Sequence, residues 1–132
     1  EELILNMTLA TKEKSGAELL SVNPVINLAV EYIDNHYTDN ITIDDITNNL
    51  YITKSYLHQL FNENLLISPK KYINSKRLEK ARNLLRSGLK PNEIYLSCGF
   101  TDYATFYRNY KGYFGHAPSE ETNTVIERKI ES

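Results

Sequence analysis

The feature that most constrains the fold is a pattern that occurs twice: a short amphipathic helix, a tight turn and a second helix with a polar outer face. The first copy spans residues 42–64 and the second spans 91–114, about 48 residues further on, with its short helix expected over residues 91–98. Between the copies, residues 69–87 form a long basic segment with helical periodicity. A short helix gains most of its stability by packing an apolar face against its neighbours. The sequence therefore predicts an all-α fold, with two small helical subdomains joined by a long basic linker helix.

The starts and ends of these helices are marked by capping residues. Pro24 is well placed at the first position of a helix whose apolar residues follow at spacings of three and four. Thr42, with Asp45 three residues later, forms a variant of the capping box. The Ser-Pro pair at 68–69 starts the linker helix, and Gly88 is expected just after its end. No strand signal competes, because no Asn-Gly or Asp-Gly pair lies between alternating runs.

Seven aromatic residues crowd the stretch CGFTDYATFYRNYKGYFGHAPSE, residues 98–120. On a helical wheel, the face that carries Phe106 lies opposite a face that carries Tyr107 and Arg108. We therefore expect most of the rings to form the core of the second subdomain. The rings predicted to be buried are Phe100, Phe106, Tyr110, Tyr113 and Phe114. Tyr107 is the exposed exception, Tyr103 lies at the boundary, and Cys98 is expected to be buried and inert.

The second helix of the first copy also has two unlike faces. Leu57, Leu60 and Phe61 share one arc of the wheel, and the polar residues Ser55, His58, Gln59 and Asn62 share the other. A short helix, a tight turn and a second helix with a polar outer face make the helix-turn-helix arrangement, whose second helix enters the DNA major groove. Two such units could address major-groove segments about one helical turn, or roughly 34 Å, apart.

Charge is distributed unevenly along the chain, although the formal net charge is only −2. Residues 1–45 carry two lysines and nine acidic residues, whereas residues 68–90 carry eight Lys or Arg and a single acidic residue, Glu79. Local basic density governs phosphate contact, so the linker helix is a candidate for binding a polyanion. The candidate phosphate contacts are Lys70, Lys71, Lys76, Arg77 and Arg82. A solvated helix face would account for the same charges.

Several classes of function are not favoured by the composition. No apolar run approaches the roughly 18 residues of a membrane span, and the amino-terminal residues do not resemble a signal peptide, which points to the cytoplasm. The single cysteine and three scattered histidines have no metal-ligand spacing, so neither a metal nor a cofactor is expected. No nucleophile–base set, carboxylate pair or phosphate-binding glycine loop suggests an enzyme.

Residues 24–120 resemble the DNA-binding domain of the AraC/XylS family of bacterial transcription regulators. The resemblance is carried by ITIDDITNNLYITKSYLHQLFNENLLISPKKYINSKRLEKARNLL and by CGFTDYATFYRNYKGYFGHAPSE, which has the Gly-Phe, the aromatic second helix, the Phe-Gly and the Pro of the second unit. It implies a fold of about seven helices with two helix-turn-helix subdomains. It also implies a sequence-specific DNA-binding protein, usually an activator of transcription.

Matching to the family pattern also implies which side chains meet DNA. The residues placed against the bases are Ser55, His58, Gln59, Tyr103, Ala104, Thr105, Tyr107 and Arg108. Lys54 and Asn62 flank the first set, and Lys54 and Lys111 are placed near phosphates. Both helices carry suitable groups, because Gln can pair with adenine and Arg with guanine.

The resemblance divides the chain into residues 1–22, a linker or tail of an amino-terminal sensing domain that is not present, a DNA-binding domain at 23–120, and a tail or short helix at 121–132. Such sensing domains often bind a sugar, and such activators also contact RNA polymerase. The chain departs from the family at Tyr51, commonly Gly, at Thr47 and Tyr95, usually Ala, and at residues 121–122, customarily Tyr-Arg. The alternative interpretation is a helical module that binds a protein partner such as RNA polymerase without reading DNA sequence.

Overall fold

The computed structural model describes residues 23–121, and every regular element within that range is helical. The helices are α1 (Pro24–His36), α2 (Ile43–Leu50), α3 (Lys54–Leu65), α4 (Pro69–Arg86), α5 (Pro91–Ile94) and α6 (Tyr103–Phe114). Residues 118–121 are also helical and are named α7. The all-α prediction with about seven helices is confirmed. The expected amino-terminal tail and all but the first residue of the expected carboxy-terminal tail lie outside the described residues.

Side-chain caps fix the starts of the helices as the sequence predicted. At α2, Thr42 Oγ1 accepts from the Asp45 amide at 3.1 Å and Asp45 Oδ2 accepts from the Thr42 amide at 2.8 Å. At α4, Ser68 Oγ accepts from the Lys71 amide at 3.1 Å. Such bonds satisfy amides that have no partner within the helix. They set where each helix begins and hence which of its faces points inward.

Two separate hydrophobic cores lie at opposite ends of α4. The first is formed by α1, α2, α3 and the start of α4, and its largest fully buried side chains include Phe61, Ile26 and Ile33. The second is formed by α5, α6 and the later turns of α4, around Phe106 and Tyr110. Helix α4 contributes Ile73 to the first core and Leu78, Ala81 and Leu85 to the second. The linker helix therefore joins two subdomains and forms part of both.

The second subdomain differs from the prediction in two places. The helix expected over residues 91–98 is only Pro91–Ile94, and residues 95–99 form a turn. Tyr113, predicted to be buried, keeps 48% of its surface exposed, and its hydroxyl donates to Glu79 Oε2 at 3.2 Å. Tyr113 lies in the last turn of α6, where the helix face continues past the edge of the core. The helical wheel placed Tyr113 on the correct face of α6, but the prediction that its ring is buried was wrong.

Two residues that depart from the family pattern, Tyr95 and Glu121, pack against other side chains of the second subdomain. The Tyr95 ring packs edge-on against Tyr103 at a centroid distance of 5.6 Å and against Phe106 at 6.3 Å. Aromatic neighbours in this range attract each other beyond simple burial of area. Glu121, which was predicted to belong to the tail, is only 2% exposed and belongs to the second subdomain. Within residues 23–121, no helix is long and apolar enough to cross a membrane.

Candidate nucleic-acid interface

The outer face of α3 is a polar surface held in place by a buried opposite face. Leu57, Leu60 and Phe61 are buried in the first core. The five side chains predicted to meet or flank DNA are all exposed: Lys54, Ser55, His58, Gln59 and Asn62. Because three apolar anchors fix the rotation of α3 about its axis, this polar face has one defined direction.

Two of these side chains are oriented by contacts within the helix. The Nδ1 atom of His58 donates to the Lys54 carbonyl oxygen at 2.9 Å, which directs Nε2 away from the helix backbone. The Gln59 amide donates to Glu63 Oε2 at 3.1 Å. That bond uses one N–H and leaves the amide oxygen and the other N–H of Gln59 available for pairing with adenine. Glu63, which lies one turn after Gln59, was not among the residues predicted from the sequence.

Lys54 is paired rather than free. Its Nζ lies 3.0 Å from Asp44 Oδ1, and both side chains are more than 60% exposed. An exposed pair of this kind contributes little to stability and exchanges readily with solvent. A DNA phosphate could therefore replace Asp44 as the partner of Lys54 at small cost.

The outer face of α6 is the counterpart in the second subdomain. Ala104, Tyr107, Arg108 and Lys111 are exposed, whereas Phe106 and Tyr110 on the opposite side are buried. Tyr107 is 37% exposed and leans against Tyr103, with ring centroids 6.3 Å apart. Tyr107 is exposed and Tyr103 is half-buried, as predicted, but Tyr107 is not the only exposed ring of α6, because Tyr113 is more exposed.

Thr105 and Tyr103 have structural contacts as well as a place on this face. The Thr105 amide donates to Asp102 Oδ1 at 2.8 Å and its hydroxyl donates to Asp102 Oδ2 at 3.1 Å. These two bonds are the main reason that the pKa of Asp102 lies below its ordinary value. Burial raises the pKa of the Tyr103 hydroxyl. Asp102 therefore caps α6, and the hydroxyl proton of Thr105 is already donated to it.

The cations of α4 divide into two groups. Lys70 and Lys71 lie in the first turn and are exposed. Arg77 instead donates from Nε to the Tyr37 carbonyl oxygen at 2.6 Å and from Nη2 to the Asp39 carbonyl oxygen at 2.9 Å, and burial lowers its pKa. These two bonds hold the Arg77 guanidinium against the loop after α1, so the geometry does not favour the phosphate role predicted for Arg77.

Arg82 and Lys76 also face inward. The Arg82 guanidinium lies 4.5 Å from the centroid of the Phe114 ring, a distance at which a cation is attracted to the ring face. Lys76 Nζ lies 3.4 Å from Asp34 Oδ1 and 5.9 Å from the centroid of the Tyr37 ring. The sequence showed the cations but not these partners, which lie on other helices and loops.

The two polar faces, each backed by its own core, are the arrangement found in a known family. A family model described as a helix-turn-helix domain matches residues 46–123. The structure of a transcriptional regulator with an AraC-type DNA-binding domain from Chromobacterium violaceum superposes with a TM-score of 0.70 at 29% identity, covering 77% of this chain and 92% of that one. The chain belongs to the AraC-type helix-turn-helix family. The family predicted from the sequence is confirmed.

Curated relatives of this AraC-type domain are regulators of operons. The lactose operon transcription activator of Staphylococcus xylosus is 34% identical over 100 residues, which cover 75% of this chain and 36% of the activator. The Msm operon regulatory protein of Streptococcus mutans is 31% identical over 119 residues, 89% of this chain and 42% of that protein. The chain thus spans less than half the length of these relatives. The chain is therefore a DNA-binding domain that acts in the regulation of transcription.

Proposed function

We propose that this AraC-type domain binds a bipartite site on double-stranded DNA, with α3 and α6 in successive segments of the major groove. The observation that carries the proposal is the pair of outward polar faces, each fixed in direction by its own core and both attached to α4. A single unit could read only one short motif. Two units on one helix can require two motifs at a set distance.

Base reading is assigned to the exposed side chains of the two faces. Gln59 and Arg108 have the chemistry for bidentate pairing with adenine and guanine, and each such contact discriminates by roughly 1–3 kcal/mol. Ser55, His58, Ala104 and Tyr107 supply the remaining exposed surface. Thr105 and Tyr103 are assigned to positioning this surface, because their contacts lie within the subdomain.

Phosphate contact is assigned to a smaller set of cations than the sequence suggested. Lys70 and Lys71 are exposed beside the start of α4, where backbone amides also favour an anion. Lys54 and Lys111 are exposed at the two polar faces. Arg77 and Arg82 are removed from the set, since their guanidinium groups bind the protein, and Lys76 is shared with Asp34.

The proposed role is activation of transcription in the bacterial cytoplasm. The lactose operon activator supports it through its name and its similarity to most of this chain. A sensing domain that binds a sugar and a contact with RNA polymerase belong to the same proposal. Relatives that regulate operons give no support to an enzymatic role.

The test is selection of bound duplexes from a random library, at low and moderate salt, with the wild type and three variants. We expect two short motifs about one helical turn, or roughly 34 Å, apart. Gln59→Ala should relax one motif and Arg108→Ala the other, each by about 1–3 kcal/mol of discrimination. Asn35→Ala, an exposed change on α1, is the control and should leave both motifs unchanged.

The other outcomes have distinct meanings. Enrichment of only one motif would contradict reading by both helices. Enrichment of none at either salt concentration would favour the module that binds a protein partner. Unchanged motifs in both Gln59→Ala and Arg108→Ala would refute the assignment of these two residues.

A further inference from the structure

Three segments that are distant in sequence meet beside the middle of α4. The first is the loop after α1, which belongs to the first subdomain. The second is Arg77 of α4. The third is Gly99, in the turn just before α6. A Cβ placed on Gly99 would lie 2.7 Å from the Tyr37 carbonyl oxygen and 2.7 Å from Arg77 Nε.

Arg77 binds the same loop that Gly99 touches. Its Nε donates to the Tyr37 carbonyl oxygen at 2.6 Å, and its Nη2 donates to the Asp39 carbonyl oxygen at 2.9 Å. Hydrogen bonds from a charged donor are roughly twice as strong as those between neutral groups. The loop is therefore fixed to α4, and Gly99 lies directly against the fixed loop.

Gly99 is required at this position for two independent reasons. Its φ is +104°, a conformation that side chains with a Cβ rarely adopt. Its neighbours also leave no room, because a contact of 2.7 Å with a main-chain oxygen can be relieved only by moving a backbone. Gly88 offers a control that isolates the backbone strain. Its φ is +109°, but nothing lies within 4 Å of its Cβ position.

The contact matters because the two cores themselves are separate. Beside α4, which forms part of both cores, the main chain of Gly99 lies against the Tyr37 carbonyl oxygen and brings the two subdomains together. Lys76 supports the same side of α4 through Asp34 and the Tyr37 ring. Gly99 lies three residues before Asp102, the N-cap of α6, so a shift of Gly99 would be transmitted to the start of α6.

We propose that Tyr37, Arg77 and Gly99 form a joint that fixes the distance and angle between α3 and α6, and thereby sets the spacing of the two half-sites on DNA. The inference rests on the proposed bipartite reading. The three residues act on spacing through the orientation of the subdomains, and no contact between them and a base is involved. They are positioning residues for DNA recognition.

The first experiment measures the joint without DNA. Spin labels are attached to cysteines introduced at Asn35 and Lys111, two exposed positions in different subdomains, while Cys98 is buried. Pulsed electron paramagnetic resonance then gives the distance distribution between the labels. We expect a single narrow distribution in the otherwise unmodified chain, and a broadened or displaced one in Gly99→Ala and in Arg77→Gln. Gly88→Ala should keep the narrow distribution.

The second experiment measures spacing on DNA, using the selected bipartite site with two base pairs inserted or removed between its halves. Two base pairs rotate one half-site by roughly 70° relative to the other. We expect wild type and Gly88→Ala to lose about tenfold or more in affinity, and Gly99→Ala and Arg77→Gln to lose less than about threefold. The base preferences within each half-site should stay unchanged in all four proteins.

The outcomes separate the joint from the proposed function. If the wild type selects no second motif, bipartite reading fails, and the label distances still decide whether the joint exists. If the wild type selects two motifs and Gly99→Ala and Arg77→Gln keep both the narrow distance and the spacing preference, the joint proposal is wrong. Arg77→Gln adds no bulk, so it tests the joint even if Gly99→Ala does not fold.

Discussion

Tyr51 ends α2 in a backbone conformation that a large side chain rarely adopts. Its φ is 58° and its ψ is 44°, and its side chain is 94% exposed. In this left-handed region the Cβ approaches the following carbonyl oxygen, at a cost of roughly 1–2 kcal/mol. The ring has almost no contact that could offset the cost. Glycine, common in the family at this position, avoids the collision.

We expect Tyr51→Gly to raise the free energy of unfolding by about 0.5–1 kcal/mol, because the relieved collision exceeds the entropy lost by glycine on folding. Urea denaturation followed by circular dichroism measures the change. Asn49→Gly is the control, since Asn49 lies within α2 and is exposed, and there glycine should be slightly destabilising. A lower stability of Tyr51→Gly would mean that the ring has contacts that outweigh its backbone strain.

Sequence reasoning at the residue scale succeeded where the cause is local. The caps at Thr42 and Ser68 depend on neighbours three positions away, and both were predicted. It failed where the partner is distant along the chain. Arg77 binds residues 38 to 40 positions away, and nothing in its own segment distinguishes it from Lys70 or Lys71.

At the scale of elements, one buried carboxylate ties three helices together. Glu121 of α7 accepts from Arg86 Nε of α4 at 2.6 Å, from the Tyr110 hydroxyl of α6 at 2.9 Å and from His116 Nε2 at 2.7 Å. Burial favours the protonated form of Glu121, but these donors outweigh it and lower its pKa to about 2. Burial and the bond to Glu121 raise the pKa of Tyr110.

We expect Glu121→Gln to lower the free energy of unfolding at pH 7 by about 1–3 kcal/mol, because a charged acceptor of three donors is lost. The folded pKa of Glu121 is depressed, so its contribution is complete above the ordinary pKa of 4.5 and is lost as pH falls toward about 2. Denaturation at pH 7, 4.5 and 3 should therefore show the difference between wild type and variant shrinking with acid.

Glu31→Gln, on the exposed surface of α1, is the matched control and should follow the wild type at every pH. A difference between wild type and Glu121→Gln that is the same at pH 7 and pH 3 would contradict a charge-based role for Glu121. Because glutamine has nearly the same shape as glutamate, such a difference would instead indicate that the substitution rearranges the side chains around position 121.

The elements themselves were largely predictable, and the edges of the second subdomain were not. Helix α6 has a strong apolar stripe, so the burial of Phe106 and Tyr110 follows from spacing alone. The burial of Glu121 does not, because its partners Arg86 and Tyr110 come from two other helices. The family pattern did not predict the burial either, because Glu121 is one of the residues that depart from it.

At the scale of the whole molecule, the net charge of −2 implies that DNA affinity depends on where the cations lie. Each phosphate neutralised by a cation adds about −0.9 to the slope of log affinity against log salt concentration. The structure leaves Lys70 and Lys71 exposed at one end of α4, while Arg77 and Arg82 contact the protein. The slope of log affinity against log salt concentration therefore measures how many cations contact DNA phosphates.

We expect Lys70→Ala and Lys71→Ala each to make the slope shallower by about 0.9, with little change in the preferred DNA sequence. Lys90→Ala removes the same charge from an exposed position beyond the other end of α4 and should leave the slope unchanged. Fluorescence anisotropy with one selected duplex over a range of salt concentrations gives the slopes of the wild type and of the three variants. If Lys90→Ala flattened the slope as much as Lys70→Ala, the effect would come from total charge, and the phosphate contacts assigned to the start of α4 would be wrong.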